Sequence, residues 1–416
     1  MTLVPVSMSG PSLLEGYRAI TGDGPIQLLE SLARRLRGRR IVMVNSTATG
    51  GGVAEILHRL VRLLNELGVE TSWEVMPGDL RFYRITKTIH NTLHGLAGEL
   101  SPEDREYYVE MNRRAADVLR LDGDLILIHD PQPAALVSLR RRPGQRWLWR
   151  CHIDLSRADP VVWSLLQPYV SRYDAAVFSH VTFVPPLSIP SWLAPPSIDP
   201  LSDKNRELTD DEMDRLLDPL DIPTSRPWVT QVSRYDWLKD PVGVVEAFML
   251  ARKREEAHLV LAGGSADDDP EGAEVLAAVQ KKVGDRKDIS VLLLPPDAHL
   301  TINALQRRSA VVVQKSLREG FALTVSEALW KRRAVIASAV GGIPLQVLHG
   351  RTGMLVRSVE GCASQMARLL GNPAFRRQLG NEGRHHVRDH FLHPREARDY
   401  LAAFVRLLES AAVEAA

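Results

Sequence analysis

Short apolar runs alternate with amphipathic stretches along most of this chain. Ile41-Val42-Met43-Val44-Asn45 is the first such run and reads as a strand. It ends in Ser46-Thr47-Ala48-Thr49-Gly50-Gly51-Gly52. Val53, Ile56, Leu57, Leu60, Val61, Leu64 and Leu67 then repeat at helical spacing, which predicts an amphipathic helix stopped by Gly68. Val69 to Val75 reads as the next strand. Strand, helix, strand in this order implies a parallel sheet covered by helices, and uninterrupted apolar strands imply burial on both faces. Leu125 to Ile128 and Trp147 to Cys151 extend the pattern. The segment from Pro185 to Leu201 holds Pro185, Pro186, Pro190, Pro195, Pro196 and Pro200, a density that marks a connection. A charged helix over Asp203 to Asp218 is expected to follow, with a domain boundary near Pro219 to Pro227.

The second half restarts the pattern. Trp228 to Val232, Leu259 to Ser265, Val291 to Leu294, Ala310 to Val313 and Ala334 to Ala337 read as strands. Helices are expected up to Phe248, over Leu323 to Trp330, and through the tail from Cys362 to Ala416, broken at Pro394. The fold class is therefore α/β, with two Rossmann-like domains. Their boundaries are placed at 1–220 and 221–394, with a C-terminal helix over about 395–416 packing back on the first domain.

Composition narrows the function classes. At 416 residues the chain has room for two domains, and 44% hydrophobic with 25% charged content is that of a globular protein. A formal net charge of +1 gives no electrostatic case for nucleic acid or an anionic membrane. Only Cys151 and Cys362 are present, which argues against a disulfide framework and a cysteine-based zinc site and favours a reducing, cytoplasmic setting. No apolar run approaches membrane-spanning length, and Met1 to Pro11 lacks the pattern of a secretory signal.

The candidate chemistry gathers at predicted strand ends, the edge where open α/β sheets bind ligands. Gly50-Gly51-Gly52 lets a backbone approach a ligand, although a tight structural turn explains it nearly as well. His129-Asp130 and His152-Ile153-Asp154 put polar groups after two strands; each histidine alone reads equally as a partner of its own loop. Arg234 and Lys239 share one loop, a pair suited to a diphosphate but also to bare surface charge. Glu319 precedes a helix and Glu327 lies on it, near N–H groups suited to phosphate and as acceptors for sugar hydroxyls. Gly341-Gly342 follows the last strand. Two facing sheets would gather these groups around one interdomain cleft. No ligand set for a metal is present, and none is assigned.

Glu319 to Glu327, inside Glu-Gly-Phe-x-Leu-Thr-Val-x-Glu-Ala, resembles the signature of retaining glycosyltransferases of family four, with the two-domain GT-B fold. Arg234 with Lys239 and the loop at Gly50 carry the same resemblance. Val44-Asn45-Ser46-Thr47 with Gly50 to Leu57, His129-Asp130-Pro131-Gln132-Pro133, Trp149 to Ser156 and Ile198 to Asn205 are similar to the trehalose glycosyltransferring synthases. That resemblance implies transfer of glucose from a nucleoside-diphosphate glucose to glucose, reversibly giving α,α-trehalose. It implies that Arg234 and Lys239 hold the diphosphate, Glu319 the donor glucose and Glu327 the ribose. It implies further that backbone N–H groups at Leu323 and Thr324 meet the phosphate, and that Gly51 and Gly52 approach it. His152 would contact the donor glucose and Asp130 the acceptor. Ala322 stands where glycine is common in the family. No tightly bound cofactor is implied, and a magnesium ion would be accessory. The partners are the nucleotide sugar and glucose or trehalose, with no nucleic acid and no membrane, and a homodimer left open. A retaining trehalose phosphorylase using glucose 1-phosphate, a family-four glucosyltransferase with another acceptor, a non-catalytic sugar-nucleotide sensor and a membrane polysaccharide transferase are the rival readings.

Overall fold

The computed structural model describes residues 2–49, 52–264 and 270–414. The chain divides into two compact units, Met1–Pro196 with His393–Ala416, and Ser197–Leu392. In the first unit β1 (Arg40–Asn45), β2 (Glu70–Val75), β3 (Leu125–His129), β4 (Arg146–Cys151), β5 (Ala175–Phe178) and β6 (Ser191–Leu193) pair in the order β2-β1-β3-β4-β5-β6, all parallel. In the second, β7 (Trp228–Val232), β8 (His258–Gly264), β9 (Ile289–Leu294), β10 (Val311–Gln314), β11 (Ala334–Ser338) and β12 (Met354–Val356) pair in the order β12-β11-β10-β7-β8-β9, again all parallel.

The apolar runs explain this burial. Side chains alternate across each strand, so Val42, Val44, Ile126, Ile128, Trp147 and Trp149 pack on one face against the helices Leu80–Leu93, Pro102–Val118 and Pro160–Val170. Each such side chain contributes roughly 1.5–3 kcal/mol on leaving water. In the second unit Val229, Leu259, Leu261, Val311, Val313 and Ile336 play the same part.

Both strand orders contain a point where the chain reverses its direction of growth across the sheet. In the first unit it lies between β1 and β3, in the second between β7 and β10. Loops leaving adjacent strands there turn to opposite faces of the sheet, which opens a crevice at the carboxyl edge. The order thus singles out the loops after β1 and β3, and after β7 and β10.

Three segments differ from the sequence-based expectation. The expected helix over Asp203 to Asp218 is helical only at Asp210–Leu217, where Thr209 and Glu212 form a reciprocal capping box. Residues before it are held as an irregular loop, with Asn303 Nδ2 donating to the carbonyls of Asp203 and Arg206 at 2.8 Å each. Residues 197–220 belong to the second unit because Leu217 and Ile222 cluster with Trp228, Val260 and Leu305. The proline-dense connection also contains β6, an edge strand, where missing N–H groups cost the sheet least. In the tail, Val359–Leu370, Pro373–His390 and His393–Glu414 are separate helices, so the chain also breaks before Pro373. Ser265, expected to end a strand, lies outside the described residues.

Candidate active site

In the second unit the two loops at the reversal point are tied together by backbone and side chain. Leu317 N–H donates to the Leu238 carbonyl at 2.8 Å, and Gln231 Nε2 to the Lys239 carbonyl at 2.9 Å. Asp240, at a left-handed φ of 48°, accepts the Gly243 N–H at the start of the helix Pro241–Ala251 and pairs with Lys315. Across this frame Lys239 Nζ reaches both carboxylate oxygens of Glu319, at 2.8 and 2.6 Å. Ser316 Oγ donates to the same carboxylate at 3.0 Å. The Lys239 and Glu319 side chains are 20% and 9% exposed, so the pair is shielded from salt and water without being sealed. Arg234 is 67% exposed, and its Nη2 donates to Asp236 at 3.2 Å. A cation–carboxylate pair and an exposed guanidinium leaving the same strand end offer phosphate and hydroxyl ligands two distinct kinds of partner.

The helix Leu323–Trp330 begins directly after this loop, as its composition predicts. Its N-cap is Ala322, which supplies no side-chain hydrogen bond, so the first N–H groups at Leu323 and Thr324 are left for other acceptors. Thr324 Oγ1 itself donates to Gln314 Oε1 at 3.2 Å. Glu327 is only 4% exposed. One turn on, Lys331 is buried, with Nζ on Asn205 Oδ1 at 2.9 Å and Gln306 Oε1 at 2.7 Å. Burial pushes the Lys331 ammonium down to about 7, against the opposing pull of Glu327.

Ala322 occupies the left-handed region, φ 67° and ψ 75°, where a Cβ is disfavoured. The loop is held there from the other side. Gln346 Nε2 donates to the Phe321 carbonyl and Gly342 N–H to the Gly320 carbonyl at 2.9 Å. Ala322→Gly removes the strain but frees the unfolded chain. We expect stability to rise by about 0–1 kcal/mol, read from the denaturant midpoint, with activity retained.

In the first unit the reversal point brings together the ends of β3 and β4. His129 pairs in register with Arg150. Asp130 has φ 64°; its N–H donates to the Arg150 carbonyl at 2.7 Å, and its Oδ1 accepts the His152 N–H at 2.8 Å. His129 Nδ1 and His152 Nε2 lie 3.1 Å apart, with the rings stacked at 5.5 Å. Burial, with the Arg150 charge adding to it, pushes His129 down to about 3 and His152 well below its ordinary value. Both imidazoles are therefore neutral at neutral pH, one donating to the other. Asp130 is half-buried, and burial raises it to about 6. It is a carboxylate at neutral pH and takes up a proton as pH falls below 6. Gly52 opens the helix Gly52–Glu66, while Gly50 and Gly51 lie outside the described residues.

Sequence reasoning did not single out Lys315, Asp240, Ser316 or Gln346, which position the loop groups. Asp240-Pro241 is a readable helix start. The contacts of Lys315 and Gln346 span 75 and 25 residues, and no local pattern announces them. No group of three or more His, Cys, Asp or Glu among the described residues is arranged to hold a metal ion. Nor is any described helix long and apolar enough to cross a membrane.

Residues 43–185 match the family model "Trehalose synthase, N-terminal domain", and residues 212–386 match "Glycosyl transferases group 1". The trehalose synthase of Rubrobacter xylanophilus is 42% identical, over 96% of this chain and 98% of that protein. That of Pyrococcus horikoshii is 40% identical, over 94% and 96%. A trehalose phosphorylase of Pleurotus pulmonarius is 29% identical over 90% of this chain but only 58% of its own length. Among solved structures, sucrose-phosphate synthase from Thermosynechococcus elongatus superposes with a TM-score of 0.70 at 19% identity, covering 89% of this chain and all of that one, a likeness of fold.

Proposed function

The chain belongs to the trehalose synthase family of GT-B glycosyltransferases, and from that premise we propose that it transfers glucose from a nucleoside-diphosphate glucose to free glucose with retention, forming α,α-trehalose. The observation that carries the reading is the Lys239–Glu319 pair, with Arg234 exposed on the same loop as Lys239, at the strand ends where the second sheet reverses its growth.

In this reading the bond between the anomeric carbon and the phosphate oxygen breaks while the acceptor oxygen bonds to the same face of the sugar. The acceptor proton passes to the departing phosphate, and the products are trehalose and a nucleoside diphosphate. Negative charge grows on the diphosphate as the bond breaks. Arg234, Lys239 and the N–H groups of Leu323 and Thr324 stabilise it more in the transition state than in the ground state. Glu319, already oriented by Lys239 and Ser316, accepts donor hydroxyls and serves as no nucleophile. Glu327 accepts the ribose hydroxyls. His152 contacts the donor glucose, and Asp130, ionised above pH 6, accepts from the acceptor sugar. Gly52, with Gly51, gives the diphosphate room.

The deciding experiment incubates the protein with glucose and each of ADP-, UDP- and GDP-glucose. A non-reducing disaccharide that a trehalose-specific hydrolase cleaves supports the reading and names the base. Trehalose only from glucose 1-phosphate and glucose would overturn it in favour of a phosphorylase, whose donor has no ribose for Glu327. Glu327→Gln keeps the shape of the side chain and removes its charge. It is expected to raise the donor KM about tenfold with kcat unchanged, the loss of one hydrogen bond to a charged group. An unaltered donor KM would remove the ribose role.

A further inference from the structure

Beneath Asp130 and the histidine pair lies a charged side chain to which the reaction as proposed gives no task. Arg150 is 0% exposed, at an interior position of β4 whose neighbours along the strand, Trp149 and Cys151, belong to the apolar core. Ser179 Oγ accepts from its Nη2 at 3.1 Å, yet Nε and Nη1 are buried with no hydrogen-bond partner among the described residues. His129 Nε2 and the Tyr400 hydroxyl, on the helix His393–Glu414, are buried and unpartnered in the same sense. The Arg150 charge acts on His129, Asp130, His152 and Tyr400 alike. A guanidinium that leaves two bonds unmade contributes little stability, because an apolar side chain of equal volume would avoid its desolvation.

We propose that Arg150 is a positioning residue for the acceptor sugar: fixed by Ser179 below the ends of β3 and β4, it holds the left-handed Asp130 turn and sets the field in which Asp130 receives a sugar hydroxyl. The carbonyl of the same residue supports the turn at 2.7 Å, so backbone and side chain of one position act on one carboxylate. This deepens the proposed transferase reading and rests on it.

The groups that act on this carboxylate are Arg150, Cys151 and His152 at β4 and Tyr400 on the C-terminal helix; Asp154 in turn acts on Cys151, and Arg395 and Glu396 act on Tyr400. Removing the Arg150 charge makes protonation easier at Asp130, and at both histidines. The acid limb of the acceptor kcat/KM, expected near pH 6 if Asp130 sets it, is therefore expected to move to higher pH.

The test uses full-length Arg150→Met, Arg150→Lys and Ser179→Ala in the glucose-transfer assay. Arg150→Met is expected to melt no lower than the native protein, to raise the acceptor KM about tenfold or more, and to leave the donor KM unchanged. Its acid limb shifts upward, and Arg150→Lys restores part of both changes. Ser179→Ala raises the acceptor KM by a smaller factor, about threefold, since the guanidinium stays but is no longer held. A native protein that makes no trehalose defeats the transferase reading itself. A native protein that makes trehalose, with Arg150→Met unchanged in acceptor KM and pH profile, overturns the positioning role. An Arg150→Met variant that melts far lower or does not fold also overturns it, because the arginine is then a stability element.

Discussion

Replacing Lys239 with alanine is expected to lower kcat by about 10²–10³-fold, the usual effect of deleting one charge-stabilising donor aimed at a developing anion. The structure adds a second consequence that distinguishes this lysine from its neighbour in the sequence signature. Lys239 is bound to both oxygens of Glu319, so its loss leaves a 9%-exposed carboxylate with Ser316 as its remaining side-chain partner. Leaving a largely buried charge so poorly paired costs about 1–3 kcal/mol, so the melting temperature falls as well. Arg234→Ala provides the contrast. Its side chain is 67% exposed and pairs with Asp236 at 3.2 Å, so stability changes within about 0.5 kcal/mol while kcat falls by a similar factor. Steady-state kinetics at saturating donor, with melting curves for both variants, separates the two residues. If Lys239→Ala kept kcat within threefold of the native value, the leaving-group role would be lost.

The sequence carried the fold because parallel strands buried on both faces must be apolar throughout. Ile41 to Val44, Leu125 to Ile128 and Val311 to Val313 announce themselves without any tertiary information. The helix Leu323–Trp330 was readable to its ends, since nothing from elsewhere in the chain overrides its helix-forming composition. The edge strands β6 and β12 were not readable. Three residues each, they exist because a neighbouring strand offers free N–H and carbonyl groups, a fact about Phe178 and Ser338 rather than about their own residues. The site divides in the same way. Arg234, Lys239 and Glu319 stand out because charged groups after strand ends are visible in one dimension, and Glu327 by its place on the helix that follows. Arg150 lies in a strand and a motif that were readable, but its complete burial and the groups it meets depend on the facing strand and the C-terminal helix. Asp130 was visible as a residue, but its left-handed backbone was not.

The second large effect falls on a residue with no side chain. Gly341 has φ 53°, and a Cβ built there would lie 1.7 Å from the Glu319 carbonyl oxygen. Carbon and oxygen do not approach within about 3 Å without bonding, so an alanine must push the Glu319–Gly320 backbone away by more than an ångström. The adjoining bond from Gly342 N–H to the Gly320 carbonyl, at 2.9 Å, would stretch or break with it. Glu319 would then lose its register with Lys239, and a displacement of about 1 Å in a positioning group costs about 10² in rate. Gly341→Ala should therefore fold, melt lower, and turn over about 10²-fold more slowly, with the deficit in kcat rather than in nucleotide affinity. Gly350→Ala isolates the cause. It has an equally left-handed φ of 76°, but nothing lies within 4 Å of its added Cβ. That variant bears the backbone strain alone, about 1 kcal/mol, and keeps its activity. Equal kinetics for the two variants would mean that the carbonyl of Glu319 yields without moving its side chain. The link from Gly341 through the loop to the Lys239–Glu319 pair would then be wrong. A deficit confined to Gly341→Ala would show that the glycines after β11 are there to seat that carboxylate.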